Sequence, residues 1–258
     1  MNKLDLKKIS ESLIDAFLEA GNAAKEISDR GVKITIKSDK SPVTDGDLAV
    51  DKILRNKLEK LTPEIPIISE ETVNFNIKDK KKNFWLIDPI DGTKEYIRKK
   101  SEYTLNAALI IDQRPALGIV YAPIKKRLFY SYGNYLAFEI NNGKKMPLKC
   151  KKVNLEQIIG LENSGETPSE VLDIYKKYKV SQTLKMSSSL KFCVLASGEA
   201  DIYAAKARAF EWDIAAGHAI LEHAGGSITT HEGKKILYGK ENFKNLPIIA
   251  KRSGSLEK

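Results

Sequence analysis

Six short strand-like segments follow one another closely between residues 65 and 140 of this 258-residue chain. They are IPIIS, FWLID, TLNAALIID, ALGIVYA, RLFYSYG and YLAFEI. Pairs of turn-forming residues, Gly133-Asn134 and Asn142-Gly143, mark tight connections among them. Consecutive strands with so few residues between them pair antiparallel. This part of the chain therefore predicts a largely antiparallel sheet.

Helical patterns lie on both sides of these strands. Apolar residues recur at helical spacing from Leu6 to Ile27, and a second helix is predicted to start at Thr44 or Asp45. After about residue 150 the pattern becomes strand and helix in alternation, with helices predicted at 168–179, 188–197 and 213–224. We therefore expect an α/β (α+β) protein of two subdomains, an antiparallel α+β half at residues 1–150 and an α/β half at residues 151–258.

The net charge of +9 favours a polyanionic partner, either nucleic acid or a small phosphorylated molecule. Basic runs at residues 78–82, 124–127 and 149–152 fall where turns are expected and are not interleaved with aromatic residues. We interpret these runs as solvated loop faces and expect no nucleic-acid partner.

Nothing in the sequence reads as a signal peptide or as a membrane-spanning stretch, so we expect a soluble, cytoplasmic protein without integral membrane association. Cys150 and Cys193 stand far apart without a metal-binding or redox spacing, which predicts two reduced thiols. The three histidines, His218, His223 and His231, also lack metal-ligand spacing and are expected to be structural.

The segment FWLIDPIDGTKEY carries the strongest chemical signal. Asp88 ends an apolar strand, and a turn at Pro89 can bring its carboxylate together with that of Asp91 and the carbonyl of Ile90. Like charges so placed repel one another unless a cation joins them, and oxygen ligands select a hard ion such as Mg²⁺. The alternative is that both aspartates simply form a turn.

Two further acidic segments fit the same construction. Glu70 and Glu71 follow an apolar strand, and Asp213 opens a helix rich in small residues. Each has a structural alternative, because paired glutamates are usually solvated and Asp213, like Asp47, is a suitable helix N-cap.

The order of the motifs SPVTDGD, ISEE, WLIDPIDGTKEY, SSSLKFC and EWDIAAGHAI resembles that of the lithium-sensitive, magnesium-dependent phosphatases related to inositol monophosphatase. Within that superfamily, TKEY and SSSLKFC are similar to the CysQ-type 3'(2'),5'-bisphosphate nucleotidases. The resemblance implies a layered αβαβα sandwich and removal of the 3'-phosphate of 3'-phosphoadenosine 5'-phosphate to give AMP. It also implies a role in sulfur metabolism, and it leaves peripheral attachment to a membrane and the oligomeric state open.

The resemblance further assigns roles by position. The metal ligands it implies, for two or three Mg²⁺ ions, are Glu70, Asp88, Asp91, Asp213 and the carbonyl of Ile90. Asp47, Thr93 and Glu70 are implied to be catalytic, orienting and deprotonating a metal-activated water that attacks in line. Substrate contacts are implied for Glu70, Ile90, Asp91, Gly92, Thr93, Ser188, Lys191 and Asp213.

Two segments depart from the CysQ-type pattern. LENSGE at residues 161–166 lacks the basic residues that relatives often carry there, and Ala205 stands where an arginine often follows the tyrosine by two residues, with Lys206 and Arg208 nearby. The substrate alternatives are therefore an inositol or sugar phosphate at the same metal site. A non-catalytic polyanion-binding protein is the alternative from another class.

Overall fold

The computed structural model describes residues 4–37, 40–75, 82–150, 152–252 and 256. Over these residues the helices are α1 (Leu6–Arg30), α2 (Asp45–Leu61), α3 (Thr93–Ile97), α4 (Ser169–Lys177), α5 (Leu190–Ser197) and α6 (Glu211–His223). The strands are β1 (Ile34–Ile36), β2 (Pro42–Thr44), β3 (Ile67–Ser69), β4 (Phe84–Asp91), β5 (Thr104–Ile111), β6 (Arg114–Ala122), β7 (Arg127–Ser131), β8 (Ala137–Asn141), β9 (Lys144–Leu148), β10 (Ile158–Glu162), β11 (Val180–Lys185), β12 (Ile202–Ala205), β13 (Ser227–Thr230) and β14 (Ile248–Lys251).

The larger sheet has seven strands in the order β3-β4-β5-β6-β7-β8-β9 within the described residues. Pairing is antiparallel from β4 to β9, as predicted, but β3 pairs parallel to β4. The exception arises because residues 70–83 separate these two strands, and a connection of that length permits a parallel return. The turn at Asn142 (φ 47) and Gly143 (φ 81) adds strand β9, which the sequence analysis did not predict.

The smaller sheet has the order β11-β10-β12-β14-β13, with parallel pairs on one side of β12 and antiparallel pairs on the other. Its strands alternate with α4, α5 and α6, as the sequence predicted. The division between the two sheets falls between Leu148 and Ile158. The two-subdomain boundary near residue 150 remains a proposal, because helices from the second half share a core with the first sheet.

The elements stack in five layers. Helices α1 and α2 pack on one face of the larger sheet, α5 and α6 lie between the two sheets, and α4 covers the outer face of the smaller sheet. Helix α6 approaches β6 closely because Gly118 has no side chain, and a Cβ there would lie 2.4 Å from the carbonyl oxygen of Ala216. This stacking confirms the αβαβα sandwich, and it brings the N-terminal end of α6 to the end of β4.

Not every described residue of the predicted basic runs lies in a loop. Of the basic runs, residues 78–81 and residue 151 lie outside the described residues, whereas Arg127 belongs to β7 and pairs with Glu139 and Glu199.

Among the described residues, no helix combines the length and the apolarity needed to cross a bilayer.

Candidate active site

The end of β4 contains an irregularity that places two carboxylates together. Asp88 pairs with Asn106 and Asp91 with Thr104, so three steps along β4 match two steps along β5. In a regular strand, residues three apart point to opposite faces. The extra residue in this bulge restores the phase and lets Asp88 and Asp91 face the same region. Gly92 follows with φ 93, a conformation that favours glycine, and α3 begins at the next residue.

Carboxylates from three separate segments meet at this strand end. Glu70 follows β3, Asp88 lies in β4, and Asp213 occupies the first turn of α6. One carboxylate oxygen of each lies within 4.8 Å of the others. Burial and the neighbouring negative charges raise the pKa of Asp88 and of Asp213 well above their usual range, and burial raises the pKa of Glu70 to about 7.

The arrangement fits a hard divalent cation. The Asp88 side chain is only 1% exposed, and its Oδ1 atom has no hydrogen-bond partner among the described residues. A buried carboxylate oxygen without a donor, beside two other carboxylates, is costly unless a cation compensates the charge. An all-oxygen ligand set suits a hard cation such as Mg²⁺ better than a soft cation that prefers sulfur.

Asp91 lies beside this group and is held by Ser189, a residue that the sequence analysis missed. The Ser189 hydroxyl lies 2.8 Å from the Asp91 carboxylate and 2.6 Å from the main-chain carbonyl oxygen of Asp213, and it accepts a bond from Asn106 at 3.1 Å. Ser189 also donates its backbone N–H to Asp91. One side chain thus connects β4, β5 and α6. In the sequence, the position of Ser189 could have indicated this role, because it is the last serine before the apolar run of α5.

Asp47 and Thr93 meet on the side of α2. Asp47 is buried, and its Oδ2 accepts hydrogen bonds from the backbone N–H (2.8 Å) and the hydroxyl (2.6 Å) of Thr44. Its Oδ1 lies 3.4 Å from the Thr93 hydroxyl, which is also 3.1 Å from the carbonyl oxygen of Ile90. Asp47 therefore does cap the helix, because it completes a capping box with Thr44. The same carboxylate also faces Thr93.

The two glutamates after β3 have different surroundings. Glu70 joins the acidic group, whereas Glu71 forms an ion pair with Lys37 at 2.8 Å. Lys37 also lies 3.5 Å from Glu70. Burial lowers the pKa of Lys37, but the hydrogen bond and charge of Glu71, together with the charge of Glu70, outweigh it and raise that pKa overall. Lys37 is a second residue that the sequence analysis did not identify.

A cavity of about 440 Å³ opens beside the acidic group. Asp91, Gly92 and Asp213 line it, and so do the predicted substrate-binding residues Ser188 and Lys191. Lys191 is 5% exposed and donates to the carbonyl oxygen of Ser188 at 2.7 Å. Burial lowers its pKa to about 8, against the opposing effect of Asp91. The lining of the cavity therefore combines carboxylates with positive charge.

A protein-family model described as the inositol monophosphatase family matches residues 5–254. The chain belongs to the inositol monophosphatase family. Within this family, a 3'(2'),5'-bisphosphate nucleotidase CysQ from Buchnera aphidicola is 37% identical over 238 residues, which cover 90% of this chain and 88% of that protein. The chain is therefore a CysQ-type phosphatase of the family, an enzyme class that hydrolyses phosphate esters.

Solved structures of family members share the fold. The crystal structure of CysQ from Bacteroides thetaiotaomicron gives a TM-score of 0.75 at 26% identity and covers 93% of this chain and 96% of its own. An IMPase/NADP phosphatase complexed with Mg²⁺ and phosphate gives a TM-score of 0.79 at 22% identity, with 96% and 92% covered. The second likeness shows the fold alone.

The remaining residues that are often catalytic have other partners in this family member. His218 and His223 are buried, bond to the hydroxyls of Tyr238 and Ser131 at 2.9 Å each, and have pKa values lowered by burial, so both are neutral at pH 7. Cys193 is a buried free thiol and Cys150 a half-buried one, and burial raises the pKa of each. None of these four groups lines the cavity beside the acidic group.

Replacement of Ser189 by alanine should lower kcat/KM of this family member about tenfold to a hundredfold. The substitution removes the hydroxyl that lies between Asp91 and the Asp213 carbonyl, so Asp91 loses one of the two hydrogen bonds that Ser189 gives it and is held less firmly. Phosphate release measured at saturating Mg²⁺ checks the prediction. Ser197→Ala is the matched control, because its hydroxyl bonds only Val194 and Glu199 at the other end of α5. Equal activity in both variants would contradict the positioning role.

Proposed function

We propose that this chain is a magnesium-dependent phosphomonoesterase that hydrolyses the 3'-phosphate of 3'-phosphoadenosine 5'-phosphate to AMP and phosphate. The observation that carries the proposal is the meeting of Glu70, Asp88 and Asp213 within 4.8 Å, where the buried Asp88 Oδ1 has no hydrogen-bond partner among the described residues. The 37% identity to a CysQ bisphosphate nucleotidase supports the choice of substrate.

The residues proposed to hold two or three Mg²⁺ ions are Glu70, Asp88, Asp91, Asp213 and the carbonyl of Ile90. When bound, Mg²⁺ supplies Lewis acidity that favours water ionisation and stabilises the charge of a leaving oxygen. The all-oxygen ligand set supports this choice of ion, and a protein of the same fold, an IMPase/NADP phosphatase, has been solved in complex with Mg²⁺ and phosphate. The carboxylates are buried and have raised pKa values, so a bound cation would stabilise their charged forms.

The protein's own groups would position the reactants. Thr93 would orient the attacking water through its hydroxyl. The hydroxyl would accept a proton from the water and donate its own proton to the Asp47 carboxylate. Gly92 lets the phosphate approach the backbone because it has no Cβ. Ser188 and Lys191, which also line the cavity, would hold the nucleotide. Attack would then be in line, and no side-chain nucleophile is needed.

An inositol or sugar phosphatase is the second candidate. The observation that favours it is the uncharged part of the cavity wall, which is formed by Asn163, Ser164, Gly165 and Ala205. A smaller substrate with one phosphate would require fewer cationic contacts.

Phosphate release from three substrates separates the candidates. We expect release from 3'-phosphoadenosine 5'-phosphate to exceed that from inositol 1-phosphate and fructose 1,6-bisphosphate, each measured with and without Mg²⁺ and with added Li⁺. Faster release from inositol 1-phosphate would overturn the substrate. Activity that persists after chelation of Mg²⁺ would overturn the metal dependence, and salt-sensitive binding of long nucleic acid without hydrolysis would favour a polyanion-binding protein.

A further inference from the structure

The turn after β3 holds two adjacent glutamates that face different partners. Glu70 joins the acidic group with Asp88 and Asp213, whereas Glu71 pairs with Lys37. Because consecutive side chains leave the backbone in different directions, the orientation of the turn decides which of the two carboxylates faces the acidic group. Whatever fixes this turn therefore fixes the carboxylate that is available to a cation.

Main-chain pairing holds the turn from one side only. Strand β3 has three residues and stands first in the order of the larger sheet, and its pairing partner among the described residues is β4. The backbone N–H of Glu70 extends this pairing with a hydrogen bond of 3.1 Å to the carbonyl oxygen of Ile87. The backbone N–H of Thr72 bonds the carbonyl oxygen of Ser69 at 3.1 Å, which closes a four-residue turn. The side of the turn that faces away from β4 must be held by side chains.

Helix α2 supplies these side chains. Asp51 is buried, at 7% exposed, and its Oδ1 accepts a hydrogen bond from the Ser69 hydroxyl. The same hydroxyl oxygen accepts the backbone N–H of Glu71 at 3.4 Å. Arg55, one helical turn after Asp51, lies 3.4 Å from its Oδ2 and donates to the Thr72 hydroxyl. Both ends of the turn, Ser69 and Thr72, are thus tied to α2.

Asp51 stands at the centre of this network because its two oxygens serve two different partners. A buried carboxylate is costly unless donors compensate its charge, and here the Ser69 hydroxyl and the Arg55 guanidinium do so. Asp51 is not one of the three carboxylates that meet within 4.8 Å, and neither Asp51 nor Ser69 lines the cavity beside them. Its contribution to the site is therefore one of orientation.

We propose that Asp51 is a positioning residue that acts through Ser69: it holds Glu70 in the direction that the cation site requires and thereby sets the Mg²⁺ affinity of that site. Arg55 belongs to the same network, since it holds both Asp51 and the far end of the turn. This inference rests on the proposed phosphatase function. It adds to that function a carboxylate that contacts neither the cation nor the substrate.

The test measures Mg²⁺ binding by isothermal titration calorimetry, beside phosphate release. In Asp51→Ala, the dissociation constant of Mg²⁺ should rise about tenfold to a hundredfold, the usual effect of removing a group that orients a metal ligand. The value of kcat at saturating Mg²⁺ should stay within about threefold of the wild type, because the cation, once bound, holds Glu70 in place. Asp51→Asn should give a smaller rise, because its amide oxygen can still accept the Ser69 hydroxyl, and it provides the test if Asp51→Ala does not fold.

A double-mutant cycle separates positioning from a general structural role. Ser69→Ala removes the same hydrogen bond from its other side, so it should raise the Mg²⁺ dissociation constant by a similar factor. The variant with both substitutions should then bind Mg²⁺ no more than about threefold more weakly than Asp51→Ala alone. Two independent effects would instead multiply.

Glu139→Ala is the matched control for lost stability. Glu139 is likewise a buried carboxylate paired with an arginine, Arg127 at 2.6 Å, but it lies in β8, four strands away from β4 in the larger sheet. This variant should unfold more readily, while its Mg²⁺ dissociation constant should stay within about twofold of the wild type.

An unaltered Mg²⁺ affinity in the folded Asp51 and Ser69 variants would overturn the inference and leave the proposed function standing. An equal loss of affinity in Glu139→Ala would also overturn it, because the affinity would then follow the overall stability of the protein. A wild-type protein that neither binds Mg²⁺ nor releases phosphate would overturn the proposed function, and the inference with it.

Discussion

Replacement of Asp88 by asparagine should lower kcat/KM at least about 10³-fold, which corresponds to about 4 kcal/mol of lost transition-state stabilisation. The same substitution should stabilise the metal-free protein. Ionised Asp88 is buried, close to Glu70 and Asp213, and without a donor at Oδ1, so its charge opposes folding. Removal of that charge should raise the free energy of unfolding at pH 8 by about 1 kcal/mol or more.

Phosphate release at saturating Mg²⁺ measures the loss of kcat/KM. Urea unfolding with a chelator present measures the gain in stability. Asp91→Asn should likewise abolish phosphate release with the fold intact. Asp173→Asn is the control, since Asp173 is exposed on α4, on the outer face of the smaller sheet, and neither quantity should change there. Full activity in Asp88→Asn or Asp91→Asn would remove the metal-site proposal. Loss of activity together with loss of the folded state would show that the carboxylate is structural.

Without Mg²⁺, stability should fall as the pH rises from 6.5 to 8. Burial raises the pKa of Glu70 to about 7 and raises those of Asp88 and Asp213 well above their usual range. In this window the folded protein holds protons that the unfolded chain has already released, so the unfolded state binds fewer protons and the slope is negative. We expect a decrease of about 1–3 kcal/mol over the window, given a limit of about 1.4 kcal/mol per pH unit for each proton.

The limits of this pH window exclude three opposing groups, since burial lowers the pKa of His218 as well as those of His223 and Lys191. Burial lowers the pKa of His223 to about 4, which gives a rise in stability with pH only below about 6.5, where the unfolded histidine is protonated. Burial lowers the pKa of Lys191 to about 8, which gives a second rise only above that value. Urea unfolding at several pH values, with chelator and with excess Mg²⁺, checks the prediction. Mg²⁺ should flatten the slope, and the Asp88→Asn variant should weaken it; a slope that Mg²⁺ leaves unaltered would contradict an acidic metal site.

Much of the fold was predictable because it depends on local pattern. The helix from Leu6 to Arg30 follows from apolar spacing, and the turn at Asn142 and Gly143 follows from turn-forming residues that tolerate positive φ. The parallel pairing of β3 with β4 was missed, because the apolar pattern of a strand does not specify its direction. Strand β9 was missed because most of its residues are exposed and polar.

The candidate site, like the fold, was predictable only where it depends on local sequence. The spacing of Asp88 and Asp91, with Pro89 and Gly92 between and after them, marked a polar turn at a strand end from sequence alone. Ser189 and Lys37 were not found, because their importance lies in contacts with residues distant along the chain, Asp91 for the first and Glu71 for the second. Glu70 and Glu71 are adjacent and chemically alike, and only their surroundings distinguish them.

The sequence by itself determined most of the elements and the acidic segments that could bind a cation, because each depends on residues close together in the chain, and the order of the motifs along the chain indicated the family. The tertiary structure alone decided which carboxylates meet, since Glu70, Asp88 and Asp213 come from two strand ends and a helix that only the layered packing brings within 4.8 Å. It also decided their protonation, because desolvation and the charges of distant neighbours set the pKa of a buried carboxyl group, and neither can be read from local sequence.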